Sequence, residues 1–127
     1  MDHMERARAL RGDTSRHYNC CQSVLVAVAD TLGLTPEQAD ALGRHFGAGM
    51  KHGGTCGALT GALMALGLTG RDEAAAQKLM QDFRARNGCL GCAHLLQNAK
   101  ERGEERKAHC DRMVYECVAA LDEAAEK

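Results

Sequence analysis

The sequence predicts an all-α fold: a single-domain helical bundle of about five to seven helices with no sheet. One proline in 127 residues leaves long stretches unbroken. Runs of β-branched residues are few, while Ala, Leu, Glu, Arg and Gln, all good helix formers, are abundant. Apolar residues also recur at steps of three and four between residues that start and stop helices. A chain of this length can enclose one core, so residues 1–127 are expected to form one domain.

Taken in order, residues 3–12 suit a short charged helix ended by Gly12-Asp13. Asp13, Thr14 or Ser15 offers an N-cap for the next helix, where Tyr18, Cys21, Leu25, Val28 and Leu32 make one apolar stripe. Cys20 lies about 100° round from Cys21, beside Val24 and Ala27, so the adjacent pair cannot serve one site equally. Gly33 supplies the stop. Thr35-Pro36-Glu37-Gln38 places Thr at an N-cap, Pro at the first helical position and Gln at the third. That helix runs through Ala39, Leu42 and Phe46 and dissolves in Gly47, Gly49, Gly53 and Gly54. Thr55 is the expected cap of a helix carrying Ala58, Leu59, Ala62, Leu63 and Leu66 and stopping at Gly67-Leu68-Thr69-Gly70. Asp72 caps the next, with Ala75, Ala76, Leu79, Met80 and Phe83 inward and Asn87-Gly88 at its end. After Cys89-Leu90-Gly91-Cys92 comes an apolar turn, then a charged connector, Lys100 to Lys107, broken at Gly103. A last helix over about 104–125 aligns Cys110, Met113, Val114, Cys117, Val118 and Leu121.

Chemistry concentrates in the cysteines. With Thr55 as cap, Cys56 is a first-turn residue facing unpaired N–H groups and the positive end of the helix dipole, which favours thiolate. Gly57 and Gly61 share a helix face and leave it bare, so that another backbone or a cofactor can approach closely; both are candidate cofactor-binding positions. Cys89-x-x-Cys92 can set two sulfurs near one helix start, as in redox and metal sites. Ala93, not His, follows Cys92, so covalent haem attachment is not supported. Cys117 reads most simply as a small core hydrophobe. His52 and His94 are open as ligands or proton donors, while His3, His17, His45 and His109 read as surface or rim residues.

Other classes find little material. Aromatic content is 3% and 16 basic face 17 acidic side chains, a poor footing for nucleic-acid binding. No apolar stretch approaches the ~20 residues of a membrane span. Met1-Asp2-His3-Met4-Glu5-Arg6 is charged and lacks a signal-peptide core, so a cytoplasmic location is expected. Seven cysteines in a reducing compartment point to metal, catalytic or redox use rather than a disulfide framework. Paired carboxylates, a Ser–His–Asp order and a phosphate-binding loop are not evident, and Gly47-Ala48-Gly49 lacks the strand of a dinucleotide fingerprint.

Asn19-Cys20, Cys56-Gly57-Ala58-x-x-Gly61, Cys92 and Cys110 together resemble the family named for its C_GCAxxG_C_C cysteine pattern, over nearly the whole stretch from Tyr18 to Val118. Its members are small redox-active proteins of about this length. The resemblance implies that Cys20, Cys56, Cys92 and Cys110 are the functional residues; Cys21, Cys89 and Cys117 fall outside that set, with Cys89 available to resolve a disulfide at Cys92. Two chemistries then stand open. In one, Cys56 or Cys92 is a nucleophilic thiol and another cysteine closes a disulfide, or the thiols carry electrons. In the other, Cys20, Cys56, Cys92 and Cys110 form a four-thiolate shell for an iron–sulfur cluster or another thiolate-bound metal. A third reading is a non-catalytic helical association module with buried thiols. The extra thiol Cys89, which a four-ligand centre does not need, favours the first. The redox partner, protein or small molecule, and homo-oligomer formation stay open.

Overall fold

The computed structural model describes residues 2–126; Met1 and Lys127, the ends of the expected domain, lie outside them. The described residues form eight α-helices and a short π-type turn, with no strand among them beyond one isolated bridge between Thr55 and Gly91. In order these are α1 (His3–Gly12), α2 (Cys20–Ala27), α3 (Ala29–Leu32), α4 (Pro36–Gly43), the turn Gly49–Gly53, α5 (Gly57–Leu68), α6 (Glu73–Asn87), α7 (Cys92–Glu101) and α8 (Arg106–Ala125).

The expected all-helical class holds, but nine helical elements among the described residues exceed the five to seven expected. Val28, at φ −108° and ψ 11°, breaks what the sequence reads as one helix into α2 and α3. The glycine segment, expected to be irregular, winds into a turn of its own.

The start of α2 also differs. Asp13, Thr14 and Ser15 do not cap it; Asn19 does. Asn19 accepts from the Gln22 N–H at 2.8 Å while the Gln22 side chain accepts from the Asn19 N–H at 3.0 Å. Three residues beyond Asp13, Thr14 and Ser15 stand Arg16, His17 and Tyr18, none of which can close that reciprocal box. Asp13 instead accepts from the Ser15 N–H and hydroxyl, at 2.8 and 2.6 Å. By contrast Thr35, Asp72 and Gly33 play the parts the sequence assigns them.

The core is centred on α2, which packs against α5, α4, α1 and α8. It is buried round most of its circumference rather than along one stripe: Cys21, Val24, Leu25 and Ala27 are all fully buried. Helix α5, rich in Gly and Ala, lies against it, with Ala58, Leu59 and Ala62 fully buried. A Cβ on Gly57 would sit 2.8 Å from the Phe46 carbonyl oxygen and 3.4 Å from the Cys21 nitrogen; one on Gly61 would sit 3.1 Å from the Cys21 oxygen. The bare face of α5 thus lets the backbone of α2 approach closely, while Gly57 also lines the cleft described below. Gly43 approaches in the same way, with a Cβ only 2.9 Å from the Gln22 nitrogen. Helix α4, expected to run on through Phe46, ends at Gly43, where the close contact with α2 is made, and Leu42 is 42% exposed.

Candidate functional site

Three helices begin with a cysteine at one end of the bundle. Cys20 is the first residue of α2, Cys56 caps α5, and Cys92 is the first residue of α7. Cys110 comes from the fifth position of α8. All four line one cleft of about 600 Å³.

The starts of α5 and α7 are stitched together. The Cys56 N–H donates to the Leu90 carbonyl at 2.8 Å and the Cys92 N–H to the Gly54 carbonyl at 2.6 Å, flanking the Thr55–Gly91 bridge. These bonds move the cap from Thr55, where the sequence puts it, to Cys56, since Thr55 is held extended by its pairing. Upstream, Ala48, Gly49, Met50 and Lys51 all have positive φ, 53°, 62°, 56° and 68°. Gly49 is pressed so closely that a Cβ would lie 2.4 Å from the Gly54 oxygen and 2.7 Å from the Cys92 Cβ. The left-handed turn therefore butts directly against the Cys92 side chain.

The four thiols differ in electrostatics. Cys110 is pulled down to about 6: a hydrogen bond from Cys20 acts first, burial opposes it, and the guanidinium groups of Arg11 and Arg106 add to it. Its partner Cys20 moves the other way, because it gives its proton to that bond and is buried. Burial pushes Cys56 up to about 11, even though the N–H groups of Leu59 and Ala58 pull it down. Cys92 is raised, again by burial, then by the charge of Cys110, with Arg106 opposing. The expectation that a helix start makes Cys56 and Cys92 the thiolates is therefore corrected. Two N–H dipoles do not offset the desolvation of a sulfur in a residue only 4% exposed. Of the four, the thiol that is lowered is Cys110, half-buried and beside charged neighbours.

The remaining cysteines stand apart from the cleft. Cys21 and Cys117 are buried in the core; burial raises both, Cys21 to about 12. Cys89 is half-buried and faces Asn98, whose amide nitrogen lies 4.0 Å from its sulfur. It does not line the cleft, so its service as resolving partner of Cys92 gains no support from position.

The cleft wall is cationic. Arg11 is buried and donates to Asp111 at 2.7 Å and to the Tyr18 carbonyl at 2.7 Å. Lys107 also bonds Asp111, at 2.9 Å, and Arg16 pairs with Asp40 while covering the Tyr18 ring. Arg11 and Arg106 line the cleft and act on Cys110, and the sequence reading missed both. Arg106 was within reach of it, one helical turn before Cys110; Arg11, on a different helix, carried no such signal. His109, expected at the surface, is 3% exposed, lines the cleft, and lies with Nδ1 3.6 Å from Glu104 Oε1. Burial lowers its pKa, with Glu104 opposing. His52 and His94 are exposed and line no part of the cleft.

Four thiols on one cleft are the right donor set for an iron–sulfur or zinc centre. As arranged, however, no group of three or more His, Cys, Asp or Glu side chains among the described residues could hold a metal ion. Nor is any helix among them long and apolar enough to cross a membrane.

This geometry is a cysteine cluster in a helical bundle, the architecture of a small thiol-bearing protein. Residues 18–124 match the model of the family described as "Putative redox-active protein (C_GCAxxG_C_C)", and the chain belongs to that family. No curated protein and no solved structure matches it.

Proposed function

We propose that the protein carries out thiol–disulfide exchange, with Cys110 as the attacking thiolate and Cys20 as the resolving thiol. The observation that carries this is the placing of Cys20 and Cys110 on one cleft wall with Arg11 and Arg106, where the two thiols shift each other in opposite directions. A thiolate of pKa near ambient pH is the best compromise between ionised fraction and nucleophilicity. The Cys110 sulfur attacks one sulfur of a disulfide; a Cys110 mixed disulfide forms and one thiolate leaves. Cys20 then loses its proton and attacks Cys110, releasing the second thiolate and closing a Cys20–Cys110 disulfide. The substrate disulfide is reduced by two electrons and the cysteine pair is oxidised by two. An external dithiol reductant reopens the bridge by the reverse exchange. Cys56 and Cys92, held protonated beside the pair, are the next thiols in line to accept that bridge.

Mass-spectrometric trapping tests this on fully reduced, anaerobically prepared protein mixed with hydroxyethyl disulfide. Cys20→Ser should accumulate the adduct on Cys110, whereas the unaltered chain should pass on to a Cys20–Cys110 bridge. An adduct on other cysteines would refute the assignment. So would stoichiometric bound metal whose chelation unmasks Cys20, Cys56, Cys92 and Cys110 together to iodoacetamide; that result would support the metal-centre reading instead.

A further inference from the structure

We infer that the cleft takes small disulfides bearing a carboxylate a few bonds from sulfur, and that Arg106 is the residue that selects them. The inference rests on the exchange reading above and names its substrate class.

Most of the charged groups on the cleft already have partners. Arg11, Lys107 and Arg16 line the cleft, but Asp111 and Asp40 pair with them. Asp13, the one acid on the lining, is engaged by Ser15. Arg106 is exposed on the same lining, and its side chain makes no hydrogen bond or ion pair with any described residue. A guanidinium presents five N–H donors in a planar fork that fits a carboxylate with two parallel bonds. Left unpaired at the edge of a cleft, it is a ready anion receptor.

Its position fixes what the anion must be attached to. Arg106 precedes Cys110 by four residues, so the two share a helix face with Cβ atoms about 5–6 Å apart. Cys92 lines the same cleft as Arg106 and Cys110, and the Arg106 charge acts on both thiols. A carboxylate gripped there leaves a sulfur a few bonds away over Cys110. The cleft of about 600 Å³ holds a small molecule rather than a folded protein's surface.

Three disulfides of similar size read this out by stopped-flow on the reduced chain: dithiodipropionate (anionic), hydroxyethyl disulfide (neutral) and cystamine (cationic). The anionic compound should react about five- to tenfold faster than the neutral one at low salt, with the cationic one slowest. The preference should shrink as salt rises, because Arg106 is exposed. Arg106→Gln also weakens the thiolate, but for all three alike, so the readout is the ratio of rates. That ratio should fall to near one in Arg106→Gln and keep an intermediate value in Arg106→Lys, which retains charge without the fork. A binding arm needs no exchange chemistry: thiodipropionate, the inert thioether, should slow iodoacetamide labelling of Cys110 in the unaltered chain and not in Arg106→Gln. A ratio near one in the unaltered chain, a ratio undiminished in Arg106→Gln, or no Arg106-dependent protection would overturn the inference. Failure of hydroxyethyl disulfide to react at Cys110, with protection intact, would instead count against the exchange reading.

Discussion

Cys56 and Cys110 occupy opposite situations in one cleft. Cys56 sits in the segment the sequence makes most conspicuous, capping a helix amid glycines, with two backbone N–H groups pulling on its sulfur. Cys110 sits inside an ordinary amphipathic helix with nothing unusual around it in the sequence. Yet Cys56 is pushed up to about 11 and Cys110 pulled down to about 6. The contrast shows that a helix start is a weak activator when the same packing removes water. A second thiol as donor and two guanidinium groups do more, because the charge they stabilise is still partly hydrated.

The largest effect that could break this comparison is in alkylation rate. At pH 7 a thiol of pKa about 6 is mostly ionised and one of about 11 is not, a ratio on the order of 10⁴ in thiolate. Lower intrinsic nucleophilicity of the more acidic thiol trims this to roughly 100-fold before access is considered. Iodoacetamide mapping across pH should therefore show Cys110 labelled first, with a midpoint near 6. Cys20→Ala should move that midpoint toward the ordinary value of about 8.5. Equal rates at Cys56 and Cys110 would erase the distinction between them.

A smaller effect sharpens the reason Cys56 is dry. Alanine at Gly57 must push against the backbone oxygen of Phe46 and the Cys21 nitrogen, whereas at Gly67 on the same helix nothing lies within 4 Å. Gly57→Ala should lower unfolding free energy by about 1–3 kcal/mol despite its better helix propensity. Gly67→Ala should raise it by up to about 1 kcal/mol. Urea denaturation measures both, and a destabilised Gly67→Ala would show that close approach is not the cause.

The smallest effect lies far from the thiols. His3 bridges Asp30 at 2.8 Å and Asp122 at 2.6 Å, joining α1 to α3 and α8. Burial opposes its charge, but the two carboxylates raise its pKa above the ordinary value of 6.5. A raised pKa stabilises the fold fully below the unfolded value and ceases to as pH rises through the folded one. The contribution of His3, read as the difference in thermal stability between the unaltered chain and His3→Gln, should shrink from about pH 6.5 upward, by less than about 1 kcal/mol given the exposed carboxylates.

Much of the fold was legible because its signals are local. The end of α1, the start of α4 and both ends of α6 follow from capping residues and glycines a few positions away. The Asn19 cap was legible too, since only Asn19 has Gln three residues on, but Asp13 is the earlier candidate and draws the reading to itself. The break at Val28 has no local signal. The four cysteines could be read as a set only through family pattern, since nothing within the chain says that α2, α5, α7 and α8 meet at one end. Which thiol carries the charge was not legible at all: Arg11 reaches Cys110 from the opposite end of the sequence, and burial of Cys56 depends on α2 lying over α5.

The run from Ala48 to Lys51 has a consequence of handedness. L-residues pay roughly 1–2 kcal/mol each for a left-handed helical conformation, and Ala48, Met50 and Lys51 are all of that kind, with Gly49 between them. Their mirror images would carry no such cost. This turn is thus the one place among the described residues where several consecutive backbone units follow the opposite screw sense to the rest of the chain. D-alanine at position 48, introduced by chemical synthesis, would sit in its own preferred basin there, while the same inversion in any of the right-handed helices would break them. This one turn at the cysteine end of the bundle thus favours the hand opposite to the one that organises the helices.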